Sequence, residues 1–160
     1  VIQVEVPTTM NGVLEFVNGA NVAMSASWDV WAHKRSFIEI YGTEGSLLGV
    51  NPNFFGGVPM VCKPNDDWRP VDISAHPFGR NNRTLRSGAQ AADYRIVGLL
   101  DMAAAIGQGR AHRAYGALAL HVLEVLTAFE RSSVTGAHVV MESTCAQPAP
   151  VPLGAGEEVL

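Results

Sequence analysis

Cysteine is scarce. Cys62 and Cys145 are the only two in 160 residues. Two thiols outside any C-x-x-C pair form neither a disulfide framework nor a cysteine-rich zinc site, and they suit a reducing, cytoplasmic setting. Lysine is scarcer than arginine, with Lys34 and Lys63 alone. Charge of either sign is thin: 16 % of residues are charged, against roughly 25 % in an average soluble domain. With 15 acidic and 11 basic side chains the net charge is −4, which argues against a dedicated nucleic-acid binder. No apolar run approaches the roughly 18 residues a transmembrane helix needs, and no basic-then-apolar leader opens the chain. P-loop, G-x-S-x-G and H-E-x-x-H signatures are absent. Gly107-Gln108-Gly109 begins a G-x-G, but His112 stands where a dinucleotide fingerprint has its third glycine, and the segment follows a helical pattern rather than a strand. The five histidines, His33, His76, His112, His121 and His138, lack metal-ligand spacing.

What is present is apolar side chain, 48 % of the sequence. High apolar content with little charge leads us to expect a face hidden against another domain or subunit. The length fits one domain. The chain starts at Val1, inside a strand-like alternation, and reads as a piece of a longer protein.

The first half has strand character. Alternation is expected to make strands over 1–6, 12–17 and 21–31, with Asn18-Gly19 as a type I′ hairpin turn. In the return strand Met24, Ala26, Trp28 and Val30 share one face, and Ser25, Ser27, Asp29 and Trp31 the other. Further strands are expected over 37–41 and 46–50, joined by Gly42-Thr43-Glu44-Gly45, with edge strands at 58–62 and 71–74. Residues 51–57 and 75–87 read as loops, the second carrying Arg80, Arg83 and Arg86. The second half turns helical, over 89–106 with a stop at Gly107 and Gly109, and over 114–131 with Leu118, Val122, Val125, Leu126 and Phe129 on one face. A last strand is expected over 138–143. From Gln147 onward, prolines and glycines give an extended or disordered tail. The layout is α+β: an open, predominantly antiparallel sheet with two main helices packed on one face. Residues 1–146 form the domain and 147–160 the tail.

Candidate binding residues follow from the strand end. Asp29, Trp31 and His33 put a carboxylate, an indole and an imidazole close together, the side-chain set of a substrate wall. His121 shares a helix face with Leu118 and Val125 and is expected to be a hydrogen-bonded core histidine. No nucleophile–base pair has a recognisable spacing, so a hydrolase has little support.

The order of segments carries a family resemblance. Phe37-Ile38-Glu39-Ile40-Tyr41-Gly42-Thr43-Glu44-Gly45-Ser46-Leu47 resembles the "IEIYGTEGSL" hairpin of the Gfo/Idh/MocA oxidoreductases, which include glucose–fructose oxidoreductase and inositol dehydrogenase. Asn51 to Gly57 is similar to that family's "PNxFGG" loop. Residues 98–106 and 109–114 resemble its "DMAxAIxxGRxHRAxG" helix and loop, residues 119–126 its "ALHVLEVL", and Cys145-Ala146-Gln147-Pro148 its closing "CxxP".

The resemblance implies the C-terminal domain of such an enzyme, with a dihydrodipicolinate reductase-like open sheet. It implies that NAD or NADP is bound mainly by an N-terminal Rossmann domain absent from this chain, so that no cofactor is expected on the chain alone. It also implies a sugar, cyclitol or related polyol as substrate and a homodimer or homotetramer built through the sheet. The family's catalytic lysine stands in an E-K-P motif of the Rossmann domain. Neither lysine here stands in that motif, so no catalytic residue is assigned and the fragment alone is expected to be inactive. Tyr94 and Arg95 occupy a "YRG"-like stretch in which Ile96 replaces the glycine, and they join Asp29, Trp31 and His33 as candidate substrate-binding residues. The alternative is a non-enzymatic module that uses the same fold for self-association or sugar binding.

Overall fold

A computed structural model of the chain describes residues 3–53, 55 and 57–153. The chain divides into two compact units. One joins Val1–Lys34 to Gly116–Ala146, and the other joins Arg35–Tyr115 to Gln147–Leu160.

In the first unit, strands β1 (Thr9–Glu15) and β2 (Asn21–Ser27) pair antiparallel, with Gly12 opposite Met24 and Leu14 opposite Val22. Period-2 alternation buries one face in part through Met10, Gly12, Leu14, Met24 and Ala26. The hairpin turn lies where Asn18-Gly19 marks it, but its type differs. Only Gly19 is left-handed, with φ +88°, and its N–H donates to the Phe16 carbonyl at 2.8 Å while the Phe16 N–H donates to Ala20 at 2.9 Å. That is a three-residue loop ending on a left-handed glycine, whereas a type I′ turn would need positive φ at Asn18 as well.

Helix α1 (Val97–Gln108) belongs to the second unit. The first unit's helix, α2 (Gly116–Thr135), packs on β1 and sets Phe129 over Gly12, where a Cβ would meet the ring at 2.4 Å. Its covered side runs through Leu118, His121, Glu124, Val125, Ala128 and Phe129, so Val122 and Leu126, expected there, are exposed. The covered side is turned toward the polar residues because residues 139–145 are tied to Glu124 and His121 rather than to a sheet. The strand expected over 138–143 is therefore an unpaired strap. Of the strand expected over 1–6, residues 3–6 pair with nothing regular, and Val1 and Ile2 lie outside the described residues.

The second unit holds a four-stranded antiparallel meander of β3 (Glu39–Gly42), β4 (Gly45–Leu48), β5 (Met60–Cys62) and β6 (Arg69–Pro70). Thr43-Glu44 forms the tight β3–β4 turn, as the sequence suggests. The edge strand expected over 71–74 falls instead at Arg69–Pro70, with the Val71 N–H bonded to the Pro59 carbonyl at 2.8 Å. Phe54 and Gly56 of the expected 51–57 loop lie outside the described residues, and Phe55 bridges to Ala92.

A second hairpin pairs β7 (Arg83–Thr84), inside the 75–87 stretch expected to be a loop, with β8 (Gln90–Ala91), inside the stretch expected to begin a helix. Helix α1 therefore runs Val97–Gln108, starting later than expected and ending on left-handed Gly109. Alanine suits helix and buried strand alike; here Ala91 and Ala92 are consumed by the core, beside Phe78 and Ala105. The class is α+β, as expected. Among the described residues the strands form three antiparallel sheets, of two, four and two strands, rather than one open sheet.

Candidate functional site

Strand β2 stops at Ser27, and one further rung joins the Trp28 N–H to the Thr8 carbonyl at 2.9 Å. Asp29 then closes the hairpin end. Its carboxylate accepts the hydroxyls of Thr8 and Thr9, the latter at 3.1 Å, and its own N–H donates to Ser27 Oγ at 3.1 Å. Thr9 and Ser27 share a hydroxyl bond of 2.7 Å. This polar knot turns the chain out of the sheet. Trp28, Val30 and Trp31 consequently stand exposed, Trp31 at 104 % of its reference area. Alternation had put Trp28 and Val30 on the covered face; it ceases to govern them because the strand ends first. His33 is exposed on the same segment.

Tyr94 and Arg95 belong to the other unit. The Tyr94 ring packs edge-on against buried Phe78, with centroids 5.3 Å apart, and its hydroxyl donates to the Arg80 carbonyl at 3.2 Å. Tyr94 thus fixes the backbone on which the arginines sit. Arg95 Nε lies 3.4 Å from Asp93 Oδ1, and its Nη2 donates to Asn53 Oδ1 at 2.9 Å. Arg83 Nη1 donates to the other Asp93 oxygen. Asn82 holds Asp93 from behind: its Oδ1 accepts the Asp93 N–H at 2.7 Å and its Nδ2 donates to the Asp93 carbonyl at 3.2 Å. Of this group the sequence had singled out Tyr94, Arg95 and, within a loop, Arg83. Asn53 and Asp93 carry no spacing signal, because the fold alone brings them to Arg95.

Two further polar clusters are structural. Asp101 is 2 % exposed and is the one charged residue of α1. Its carboxylate accepts the Arg113 N–H at 2.7 Å and an Arg113 guanidinium N–H, while Arg110 Nη2 lies 2.9 Å away, off the hydrogen-bonding line. Burial pushes this carboxyl up, but the Arg113 amide and the two guanidiniums outweigh it and hold it below the ordinary aspartate value.

In α2, the Glu124 carboxylate accepts the N–H groups of Glu142 at 2.7 Å and Ser143 at 2.9 Å, together with the Ser143 hydroxyl. These bonds lower it to about 2. His121 Nδ1 is 2.9 Å from Ser143 Oγ, in the core position its helix face suggested. Because Ser143 gives its proton to Glu124, the imidazole must donate to Ser143 and cannot act as its base, which counts against a serine hydrolase. Glu124→Gln should free the strap: the Glu142 and Ser143 amides will exchange hydrogen faster than in the parent, and unchanged exchange would contradict this latch. The folded-state value is depressed, so the latch is complete above about pH 4.5 and is lost as pH falls toward about 2.

The Gly107-Gln108-Gly109 stretch is not a dinucleotide loop. The G-x-G at 107–109 is the C-terminal end of α1, where the Gly109 N–H is already bonded back to Ala105 and Ile106 carbonyls. Such an end presents outward carbonyls and the negative pole of the helix, the reverse of what a pyrophosphate requires. A recess of about 470 Å³ on the β3–β4 hairpin has Glu44 and Lys63 as its only charged lining, among Ile40, Leu47 and Val61. Among the described residues no cluster of three metal-ligating side chains occurs, and no helix is long and apolar enough to cross a membrane.

Residues 2–48 match the family model described as the GFO/IDH/MocA C-terminal domain. No match was found among curated proteins or solved structures. The matched stretch contains β1, β2, the Asp29 knot with its exposed indoles, and the β3–β4 hairpin whose sequence carries the resemblance. Members of this family are in general NAD(P)-dependent oxidoreductases. Over residues 2–48 the chain is thus similar to the GFO/IDH/MocA C-terminal domain.

Proposed function

We propose that the chain is the substrate-facing and self-associating part of an NAD(P)-dependent oxidoreductase that acts on a sugar, cyclitol or related polyol. The family match over residues 2–48 carries this reading, because it falls on the hairpins that lead into and out of the Asp29–His33 segment. In this reading the redox cofactor is held by a Rossmann domain, as the family resemblance implies. Trp31 supplies a flat apolar face on which the C–H side of a sugar ring stacks, and the Asp29 knot fixes its place. His33 adds a polar edge, and Tyr94 and Arg95 form a second binding element. The sheet faces serve a homodimer or homotetramer, in keeping with the exposed apolar residues Val13, Ile38 and Ile40.

Trp31→Ala in the complete enzyme should lower kcat/KM for the polyol by about tenfold, the size expected for one lost stacking contact. Cofactor affinity should be unaltered. Equal losses of both, or neither, would contradict the placement of Trp31 at the substrate.

A further inference from the structure

The meander of β3 to β6 has two outer edges, and they are built differently. Ladder bonds on an antiparallel strand fall on every second residue. At β6 the Val71 N–H bonds to the Pro59 carbonyl, and Arg69 stands opposite Val61. Residues 69 and 71 therefore face β5, and residue 70 faces outward. Residue 70 is proline, which has no N–H to offer. A two-residue strand with an arginine and an outward proline is a blunted edge, protected against further pairing.

Strand β3 has none of these protections. The Gly49 N–H bonds to the Ile38 carbonyl at 2.8 Å, so Ile38, Ile40 and Gly42 face β4. The N–H and C=O groups of Glu39 and Tyr41 face outward. Among the described residues β3 ends its sheet, with β4 as its neighbour. It holds neither lysine nor proline, and apart from Glu39 residues 37–41 are β-branched or aromatic. Both faces are open: Ile40 is 57 % exposed on one and Tyr41 70 % on the other. Outward main-chain groups, strong strand propensity and open apolar side chains make a template for one more strand.

The sequence of β3 fits that template itself. Antiparallel pairing with a second β3, about a two-fold axis at Ile40, sets Glu39 opposite Tyr41 of the second copy, and Tyr41 opposite its Glu39. These are the residues with outward groups. Each such pair exchanges both main-chain bonds, and the outward groups of both strands are satisfied. Ile40 meets Ile40 of the second copy, and Ile38 stands opposite a glycine, Gly42, which leaves it room. The Tyr41 hydroxyl donates to Glu39 Oε2 at 2.6 Å along the strand, and the same kind of carboxylate then also lies across from it. An axis at Glu39 would oppose two carboxylates. An axis at Tyr41 would carry Glu39 onto Thr43 of the turn.

We propose that two copies of the chain pair antiparallel through the β3 edge, with the two-fold axis at Ile40, and so join their meanders into one continuous sheet. This deepens the self-association in the proposed function and rests on it, by fixing a surface and a register.

The test is hydrogen exchange at the Glu39 and Tyr41 amides, read beside sedimentation of the chain. In the associated parent both amides should be protected, although they point away from β4. Ile40→Lys sets like charges opposite each other on the axis. It should weaken association by at least about tenfold, halve the sedimenting mass and expose both amides. Ile40→Glu should do the same, and a 1:1 mixture of the two variants should restore mass and protection, which a misfolded variant could not. Ile40→Cys should cross-link to itself on mild oxidation, since Cα atoms of a non-hydrogen-bonded pair lie about 4.5 Å apart, within disulfide reach. Ile38→Cys, two residues from the axis, should not cross-link, nor should the parent through Cys62 or Cys145. Association without protection of the two amides would place the contact on a sheet face, and would overturn the edge while leaving self-association intact. Protection that persists in a monomeric Ile40→Lys chain would show the edge covered by another segment of the same chain, and would also overturn the proposal. A monomeric parent would overturn both this pairing and the self-association on which it rests.

Discussion

Asp101→Ala should be the most damaging single substitution in the chain, costing about 3–5 kcal/mol of stability. Asp101 is almost fully buried, and two guanidiniums with side chains 30 % and 25 % exposed converge on it. Removing the carboxylate leaves both cations partly desolvated with no counter-charge, and it strips the Arg113 N–H of its acceptor. The connection from α1 to residue 115 is held by these bonds, so its closure should fail along with the charge balance. Asp101→Asn keeps the shape and one acceptor oxygen but loses the charge, and it should fall between the two. Urea denaturation followed by circular dichroism checks the order parent, Asn, Ala. A parent-like midpoint for Asp101→Ala would show that this cluster contributes nothing. Because the carboxyl is held below its ordinary value, its contribution is present above the unfolded aspartate pKa, near 3.8, and declines as pH falls below it.

Gly45→Ala should be nearly as severe, on the order of 3 kcal/mol, from backbone strain and overpacking together. Gly45 opens β4 with φ +152°, a conformation that residues with a Cβ rarely adopt, and a Cβ there would lie 2.5 Å from the Cys62 carbonyl oxygen on β5. The obstacle is backbone, so no rotamer change relieves it. The β4–β5 rungs that pair Ser46 with Cys62 and Leu47 with Val61 would have to open. Trp68 is the only tryptophan in this unit, next to β6, and its emission during denaturation reports the loss. An unchanged transition would mean that the hairpin accommodates the side chain by a register shift.

The parts that were legible in the sequence depend on local rules. Asn18-Gly19 marks a hairpin turn whatever its type, Gly42 to Gly45 closes the next one, and Gly109 ends α1 through its left-handed backbone. The parts that were not legible depend on a partner far along the chain. Residues 139–145 alternate like a strand, yet their N–H groups meet the Glu124 side chain instead of a neighbouring strand. Residues 89–92 satisfy a helical pattern, yet Gln90 and Ala91 pair with β7.

The candidate residues divide in the same way. Trp31 and Asp29 were found by alternation, although the strand ends before them and Asp29 serves as its closing knot. Arg95 was found through the resemblance, but its approach to Asn53 across 42 residues and the sharing of Asp93 with Arg83 have no signature in the one-dimensional pattern. Asp101 had a usable signal, as the single charge in an otherwise uncharged helix.

In the proposed function, substrate contacts lie in this chain and redox chemistry elsewhere in the same enzyme. Its most direct test is turnover by the complete gene product with NAD(H) and NADP(H) against neutral and acidic polyols and sugars. Hydride transfer to or from such a substrate, lost on truncation to these 160 residues, is the predicted result. A complete product that binds sugars or self-associates yet reduces neither nucleotide with any of them would contradict the account and mark the fold as a non-enzymatic binding module.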